Sequence, residues 1–376
     1  MDKHRLTLKI IFKSVFMTLL KIKNLLKIIF FNIIILLIGI FVLEIIFGNW
    51  IKHDNLNLLN IPRSISMKYN IEGLYPYHSK TITYTRDKYG LRGSFNSPDE
   101  IDILTVGGST TDQRYISDGE TWQDILQKEF KKIGKDIMLA NAGIDGQSTY
   151  GHIKNFEWWF PNIPKLEPKY ILFYIGINDF YVNEGNGFDN IYYKKNSIRN
   201  IIKEKSALYY FLRTLAGIYK AQIKNKIGHR SINVNNYNWT TIPLCKSYDK
   251  ILKIRVKEYS ERLEILCSQT KKIGSIPIFV TQPTYKYKID KGEIFGIDEK
   301  NLYDNIQING VDYYNMMRIF DDVIFNISNK NNSYFIDAAK SNIWQSNDFY
   351  DLAHMTPGGA RKLGNLLFEK LKLIIK

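Results

Sequence analysis

From residue 101 onward, short apolar runs alternate with longer segments of helical periodicity, and this alternation limits the chain to few architectures. The apolar runs are typical of buried strands and lie at 101–106, 136–140, 170–175, 276–281 and 334–337. The segments between them place apolar residues on one helical face, at 121–133, 150–160, 251–273, 301–328 and 358–372. Strands separated by helices form a parallel sheet that helices cover on both faces. We therefore predict an α/β fold with a central parallel sheet.

A long apolar segment precedes this pattern. Residues 28–47 contain one polar residue, Asn32, and one charged residue, Glu44. A run of about 20 apolar residues is long enough for a helix to cross a bilayer. The lysine excess in residues 1–27 favours a cytoplasmic N-terminus and places the rest of the chain outside. A cleaved signal peptide has a shorter apolar core and a buried helix is more amphipathic, so we favour an uncleaved single-pass anchor.

Two segments interrupt the strand and helix pattern. Residues 48–100 are polar and irregular, and we expect them to link the anchor to a domain at 101–376 and to wrap part of it. Residues 181–247 are rich in Asn, Lys and Tyr and form a predicted insertion over the core. The insertion's tyrosines are more typical of packing than of binding, although a role in shaping a substrate site stays open.

The chain is basic, with 52 Lys and Arg against 37 Asp and Glu and a formal net charge of +15. Such a chain can bind nucleic acid, but this sequence has no arginine-rich stripe and no interleaved basic and aromatic module. Cys245 and Cys267 stand apart from the Cys and His clusters that bind zinc. Composition therefore argues against nucleic-acid binding and a zinc site, and it leaves open whether the two cysteines pair.

Polar residues follow three of the predicted strands, at the edge where ligands bind to open parallel sheets. Ser109 follows the first strand after two glycines, and the tight turn exposes its hydroxyl. We call the segment after each predicted strand its exit. The exit of the second strand, 141–148, contains Gly146, and the exit of the third contains Asn178. Backbone N–H groups and amides there can donate to an oxyanion, but Gly, Asn and Ser are also ordinary turn and cap residues. Each feature alone is weak evidence for chemistry.

Asp351 and His354 lie just before the last predicted helix. The unperturbed pKa of histidine suits proton transfer near neutral pH, and a carboxylate three residues away can hold the ring in one tautomer. A serine hydroxyl becomes nucleophilic when such a base removes its proton. Ser109, Gly146, Asn178, Asp351 and His354 occur in this order near predicted strand ends, which is more specific than any one residue.

In this order the residues resemble the sequence blocks of the SGNH, or GDSL, esterase and lipase family. The first block is similar to 107–109, the second to 141–146, the third to 176–179 and the fifth to 351–354. The resemblance covers roughly 101–376 and implies a flavodoxin-like three-layer α/β/α sandwich.

The resemblance also implies a mechanism and its residues. Ser109 is the expected nucleophile, His354 the base and Asp351 the group that orients the base. The expected oxyanion donors are the N–H groups of Ser109 and Gly146 and the side-chain amide of Asn178. No metal or organic cofactor is implied.

One residue departs from the family pattern. Gly108 stands where many members have Asp, and we expect this change not to touch a catalytic group. The segment 87–93 is similar to one that precedes the first strand in members of cell-surface carbohydrate pathways. For Arg92, which lies in this segment, we expect a structural role in preference to substrate binding.

The expected activity is removal of an acyl group, acetyl above all, from a carbohydrate or lipid-linked glycan. An O-acyltransferase that acts on a surface glycan would use the same residues. A non-catalytic, membrane-tethered glycan-binding protein on a dead hydrolase fold is the alternative from another class. The expected location is a bacterial membrane, with the domain in the periplasm or at the cell surface. No nucleic-acid partner is expected, and the oligomeric state is open.

Overall fold

The computed structural model describes residues 2–51, 55–182, 185–192, 198–219, 228–233, 236–341 and 343–375. The chain divides into two compact units, one formed by 1–57 with 194–215 and the other by 58–193 with 216–376. The domain boundaries expected from the sequence stay a prediction.

The helices of the described residues are α1 (Asp2–Phe47), α2 (Ser109–Asp112), α3 (Trp122–Lys132), α4 (Thr149–Lys154), α5 (Ile177–Tyr181), α6 (Ile198–Lys205), α7 (Ala207–Ile218), α8 (Asp249–Lys272), α9 (Gly310–Lys330) and α10 (Pro357–Leu371). The strands are β1 (Ile65–Asn70), β2 (Thr81–Arg86), β3 (Ile103–Gly107), β4 (Leu139–Asn141), β5 (Tyr170–Tyr174), β6 (Trp239–Thr240), β7 (Ile276–Val280), β8 (Tyr287–Asp290), β9 (Glu293–Ile297), β10 (Asn301–Tyr303), β11 (Ile306–Ile308) and β12 (Tyr334–Ile336).

The first unit contains α1, α6 and most of α7. Helix α1 is long and apolar enough over Leu19–Phe47 to cross a membrane, and none of its most apolar window is buried. A solvent-exposed helix of this composition lacks the protein partner that a core helix would have. The predicted apolar segment 28–47 lies within this helix.

The second unit is built on a five-stranded sheet with the order β12-β7-β5-β3-β4. Every neighbouring pair in it is parallel. The three central strands, β3, β5 and β7, are almost wholly buried, as expected for a parallel sheet that is covered on both faces. The structure therefore confirms the α/β fold and places a strand in each of the five predicted runs, although β4 begins at Leu139 and not at 136.

Helices cover this sheet on both faces. Leu172 and Tyr174 belong to a core cluster that also contains residues of α3 and α10. Phe173, between them on the strand, points to the opposite face and stacks on Phe156 with ring centroids 6.3 Å apart. On that second face α8 packs against α9, where the rings of Tyr259 and Phe320 lie 5.1 Å apart. The sheet is thus the middle of three layers.

The sequence-based prediction that 301–328 is mostly helical is wrong in its first part. Residues Asn301–Tyr303 and Ile306–Ile308 pair as a hairpin, and Asp304 and Asn305 at its turn both have positive φ, which Asp and Asn tolerate better than most residues. The helix α9 begins only after Asn309, whose side chain caps the first turn by accepting from Val311 and Asp312.

Part of the segment 48–100, which we expected to be irregular, forms regular structure. β1 and β2 pair as an antiparallel hairpin with Ile65 opposite Arg86. Its buried side chains pack with Tyr115 and Tyr350, which flank the sites of the predicted nucleophile and base. The hairpin thus belongs to the second unit and brings Arg86 towards the carboxyl edge of the sheet.

Candidate active site

The carboxyl end of β3 presents Ser109. The strand ends at Gly107, and Ser109 begins the short helix α2 directly afterwards. A Cβ at Gly107 would collide with Thr111 Oγ1 and with the carbonyl oxygen of Tyr174. Only glycine therefore allows the backbone to turn so sharply at this point, and the turn leaves the Ser109 side chain partly exposed.

Two hydrogen bonds connect Ser109, His354 and Asp351. The Oγ atom of Ser109 lies 2.7 Å from Nε2 of His354. The other ring nitrogen of His354, Nδ1, lies 2.7 Å from Oδ2 of Asp351. In the sequence these three residues are related only by their order. The structure brings them together, with the histidine between a hydroxyl and a carboxylate, which is the geometry of a base.

A short hairpin-like loop holds Asp351 and His354. Phe349 and Met355 pair across its ends, and the Tyr350 N–H donates to the carbonyl oxygen of His354 at 3.0 Å. Oδ1 of Asp351 accepts from the N–H groups of Ala353 at 2.8 Å and His354 at 2.7 Å. The loop therefore fixes both oxygens of this carboxylate before any substrate binds.

These contacts set the charge of Asp351. Burial opposes ionisation of the carboxyl group, but the His354 ring and the two N–H donors stabilise the anion more strongly. Together they hold the pKa of Asp351 below its usual value, so the group is a carboxylate at neutral pH. A carboxylate here keeps the hydrogen of His354 on Nδ1 and leaves Nε2 free to accept from Ser109.

The predicted oxyanion donors lie at the neighbouring strand exits. Nδ2 of Asn178 donates to the carbonyl oxygen of Gln147 at 2.7 Å, which joins the second and third exits. Gly146, just before Gln147, has a φ of +75° and supports the turn. An amide nitrogen carries two hydrogens, so Asn178 keeps one for another acceptor.

Gly108, where the chain departs from the family pattern, lies against this amide of a predicted oxyanion donor. A Cβ at position 108 would collide with Nδ2 of Asn178 and would come within 3.1 Å of the Gln147 carbonyl oxygen. The absence of a side chain at 108 therefore allows Asn178 to approach the turn that carries Ser109.

We expect Gly108→Ala to lower kcat for a small aryl acetate by about 10²-fold while KM changes little, because loss of one oxyanion donor costs 10²–10³-fold. The added methyl group pushes the Asn178 amide away from Ser109. Steady-state kinetics measures the effect, and Gly187→Ala is the matched control because its Cβ would meet nothing within 4 Å. Wild-type kcat in Gly108→Ala would mean that Asn178 is not a donor.

Gln282, just after β7, connects the segments that follow β3 and β5. We did not predict this role from the sequence. Its Oε1 accepts from the Ile177 N–H at 2.8 Å, and its Nε2 donates to Thr110 Oγ1 at 2.7 Å. The same amide thus contacts the residue after Ser109 and the residue before Asn178. A glutamine after a strand gives no local signal for such a bridge.

A buried ion pair holds the short helix that begins with Ser109. Asp112 lies in the helix that Ser109 begins, and Arg86 of β2 pairs with its Oδ1 at 2.7 Å. Arg86 also donates to the Gly143 carbonyl oxygen. Burial opposes the charge of Asp112, but Arg86 and Arg114 outweigh it and keep the pKa of Asp112 below its usual value. Arg86 thereby links the first and second exits.

Arg92 is a structural residue in this arrangement. Its guanidinium donates to the carbonyl oxygens of Asp112 and Gln113 at 2.8 and 3.0 Å and to that of Ile116 at 2.6 Å. The side chain is 3% exposed, so a substrate has no access to it. These contacts favour the structural role expected from the sequence and fix the chain that follows α2.

His229 is the functional candidate that sequence reasoning missed. Its ring lies over that of His354 with centroids 4.0 Å apart, and its Nδ1 lies 2.7 Å from Oη of Tyr350. Burial and then the neighbouring His354 lower the pKa of His229 to about 4, so its ring is neutral at neutral pH. His229 stands in the insertion, where no strand or motif precedes it.

We expect the stability of the His229→Gln variant to fall less than that of wild-type protein as the pH is lowered from 7 to 4. The pKa of His229 is depressed on folding, so its contribution is complete above about pH 6.5 and is lost as the pH falls towards 4. The loss of Tm between pH 7 and pH 4 should be smaller in the variant, by roughly 2 °C. Calorimetry measures it, with the exposed His78→Gln as control, and parallel curves would contradict it.

Three side chains of this site could in principle approach one metal ion. Ligand atoms of His229, Asp351 and His354 lie within 4.8 Å of one another. Both nitrogens of His354, however, already take part in hydrogen bonds with Ser109 and Asp351. A metal ion would have to replace one of these bonds, so the arrangement suits proton transfer better than metal binding.

A serine hydroxyl bonded to a carboxylate-oriented histidine, at the carboxyl edge of an α/β sheet, is the arrangement typical of serine hydrolases. Within that class, the family model for the GDSL-like lipases and acylhydrolases matches residues 103–367. The chain belongs to this family and is a carboxylic ester hydrolase.

Several solved structures are similar to this chain at low identity. The acetyl xylan esterase AlAXEase is 14% identical, with 72% of this chain and 100% of that chain covered and a TM-score of 0.40. The psychrotrophic esterase EstA from Pseudoalteromonas sp. is 13% identical, with 73% and 97% covered and a TM-score of 0.38. A variant of the acetyl xylan esterase Axe2 from Geobacillus stearothermophilus is 14% identical, with 72% and 96% covered and a TM-score of 0.40. No curated protein matches this sequence.

Proposed function

We propose that this hydrolase removes a short acyl group, acetyl above all, from a carbohydrate or lipid-linked glycan through an acyl-enzyme on Ser109. The observation that carries the proposal is the pair of 2.7 Å contacts from Ser109 through His354 to Asp351. A hydroxyl, a base and an orienting carboxylate are what acyl transfer to serine requires.

The proposed reaction has two halves. His354 Nε2 takes the Ser109 proton as Oγ attacks the ester carbonyl, and it then gives that proton to the departing sugar oxygen. Water, deprotonated by the same nitrogen, attacks the acyl carbonyl, and that proton then passes to Oγ of Ser109 as the acid product leaves. In both halves the oxyanion accepts from the N–H groups of Ser109 and Gly146 and from the second amide hydrogen of Asn178. Asp351 remains a carboxylate throughout.

The surroundings of Gly146 support a short acyl group. The ring of Phe188 packs against Gly146 so closely that a Cβ there would collide with it. The Phe188 ring, itself 60% exposed, therefore limits the space on one side of this proposed oxyanion donor. Acetyl, which adds only a methyl group to the carbonyl carbon, fits this restriction.

An aromatic cavity of about 540 Å³ supports a carbohydrate as the rest of the substrate. Two tryptophans, Trp239 and Trp344, line it together with amide and hydroxyl groups of Gln345, Ser346 and Asn347. Flat aromatic faces cover the apolar faces of sugar rings, and the amides and hydroxyls can bond their hydroxyl groups. None of the described residues that line this cavity is acidic.

The cavity adjoins the loop that carries Asp351 and His354. Phe349 lines it and pairs with Met355 at the base of that loop. Tyr285, also in the lining, donates its N–H to the Leu352 carbonyl oxygen at 3.0 Å. A glycan with more than one sugar ring can therefore occupy the cavity beside the loop that holds the base.

We expect Trp344→Ala to raise KM for an acetylated oligosaccharide by about tenfold, equivalent to 1.4 kcal/mol, and to leave hydrolysis of a small aryl acetate unchanged. The Nε1 of Trp344 already donates inwards to the Ala338 carbonyl oxygen at 2.8 Å, so its ring face is what a sugar would meet. Acetate release from each substrate measures the difference between the two effects. Trp158→Ala, at an exposed tryptophan outside the cavity lining, is the control. Equal effects on both substrates would contradict the sugar subsite.

We also propose that α1 anchors the enzyme in a membrane. The exposed apolar stretch Leu19–Phe47 supports a span, and the lysines before residue 28 support a cytoplasmic N-terminus. The hydrolase domain would then act on the outer side, where surface glycans lie.

A further inference from the structure

Helices α6 and α7 expose their apolar faces. Apolar residues recur at spacings of three and four, which places them in one stripe on each helix. In α6 the exposed residues are Ile198 at 78%, Ile201 at 38% and Ile202 at 41%. In α7 they are Leu208 at 42%, Phe211 at 57%, Leu212 at 55% and Leu215 at 45%. A soluble helix normally turns such a stripe to a core, so these two need another apolar partner.

Glu44 connects α7 to the end of the apolar helix α1. Its carboxylate accepts from Ser206 Oγ at 2.6 Å and from the N–H groups of Ala207 at 3.0 Å and Leu208 at 3.1 Å. It also accepts from Nε1 of Trp50 at 2.7 Å. A carboxylate at the first N–H groups of a helix is a strong cap. These bonds hold the start of α7 beside Glu44, which lies three residues before the end of α1.

A second contact fixes α6 at the same level. The N–H of Asn49 donates to the carbonyl oxygen of Lys205, the last residue of α6, at 2.8 Å. Lys205 also places its ammonium over the ring of Trp50, 6.0 Å from the centroid. Both helices therefore start or end where α1 leaves its apolar stretch.

The charges of the two helices fit a membrane surface. Residues 198–218 contain four basic residues and one acidic residue, Glu204. The basic residues are Arg199, Lys203, Lys205 and Arg213. Apolar stripes combined with a positive excess are typical of helices that lie in the interface of an anionic bilayer.

We propose that α6 and α7 lie in the outer interface of the membrane, with their apolar stripes in contact with lipid, beside the point where α1 emerges. This inference rests on the proposed anchor. It gives this part of the insertion the role of a second membrane contact, which limits rotation of the chain about α1. Anionic phospholipid is the partner whose chemistry matches both the stripes and the charges.

A lipid-quenching experiment on the full-length chain tests this proposal. In a Cys245→Ser background, where the remaining Cys267 is buried, a cysteine added at Phe211→Cys, Ile38→Cys or Ile254→Cys carries an environment-sensitive fluorophore. Each protein is reconstituted, one chain per nanodisc, in phosphatidylcholine and phosphatidylglycerol with a fraction of doxyl-labelled lipid. Ile38 reports the anchor, and Ile254, 71% exposed on α8, reports the aqueous domain.

We expect quenching at 211 to reach at least half of that at 38, with none at 254. Strong quenching at 38 but none at 211 would overturn the lipid contact and leave the anchor standing. No quenching at 38 would overturn the anchor, and with it this inference. Adding Glu44→Gln should reduce quenching at 211 but not at 38, because the cap on α7 is weakened, and a label at Leu215→Cys should repeat the result.

Discussion

Ser109→Ala is expected to lower kcat/KM for a small aryl acetate by about 10⁴-fold or more, because the variant has no nucleophile and only the oxyanion donors remain. The hydroxyl makes its described hydrogen bond with His354 alone, so its removal should change the free energy of unfolding by less than about 1 kcal/mol. Initial rates and a thermal unfolding curve on the same preparation measure both quantities.

The control for this variant is Ser268→Ala, which removes an exposed hydroxyl from α8. A fluorophosphonate probe adds a second readout, since it should label the peptide that contains Ser109 in wild-type protein and fail to label the variant. Activity within tenfold of wild type in Ser109→Ala would show that another residue carries the acyl group.

Asp351→Asn is expected to lower kcat by about 10⁴-fold with little change in KM. The asparagine oxygen can still accept from the N–H groups of Ala353 and His354, so the loop should keep its shape. Its amide, however, donates to Nδ1 of His354, which moves the ring hydrogen to Nε2. A ring protonated at Nε2 cannot take the proton of Ser109.

Asp290→Asn, at an exposed residue of β8, is the control for loss of one negative charge. Nitrogen NMR of labelled His354 identifies which ring nitrogen carries the hydrogen, and a purely structural defect would not move that hydrogen. Unchanged kcat together with the altered tautomer would contradict the role proposed for Asp351.

Most of the central fold could be predicted from the sequence because burial on both faces leaves a strong signal. Strands such as β5 consist of consecutive apolar residues, and the helices between them carry one apolar face. Once the strands are known, their carboxyl ends indicate where Ser109 and Asn178 must approach each other. The catalytic roles of these residues stay predictions that the variants above test.

Prediction from the sequence fails where an unrecognised turn or a long-range contact decides the structure. Residues 301–308 have a periodicity that fits a helix, but two consecutive residues with positive φ, Asp304 and Asn305, turn the chain into a hairpin. His229 gives no signal, because its position over His354 depends on contacts across more than 100 residues. The effect of Gly108 is likewise visible only when Asn178 is packed against it.

The contact between Ser109 and His354 joins residues that are 245 positions apart. As the nascent chain leaves the ribosome, Ser109 is therefore made long before the loop that carries Asp351 and His354. Until that loop has folded onto α2, the proposed base cannot reach the serine hydroxyl. A chain stalled before residue 351 lacks both partners of Ser109, so on the proposed mechanism activity begins only after nearly the whole domain has been made.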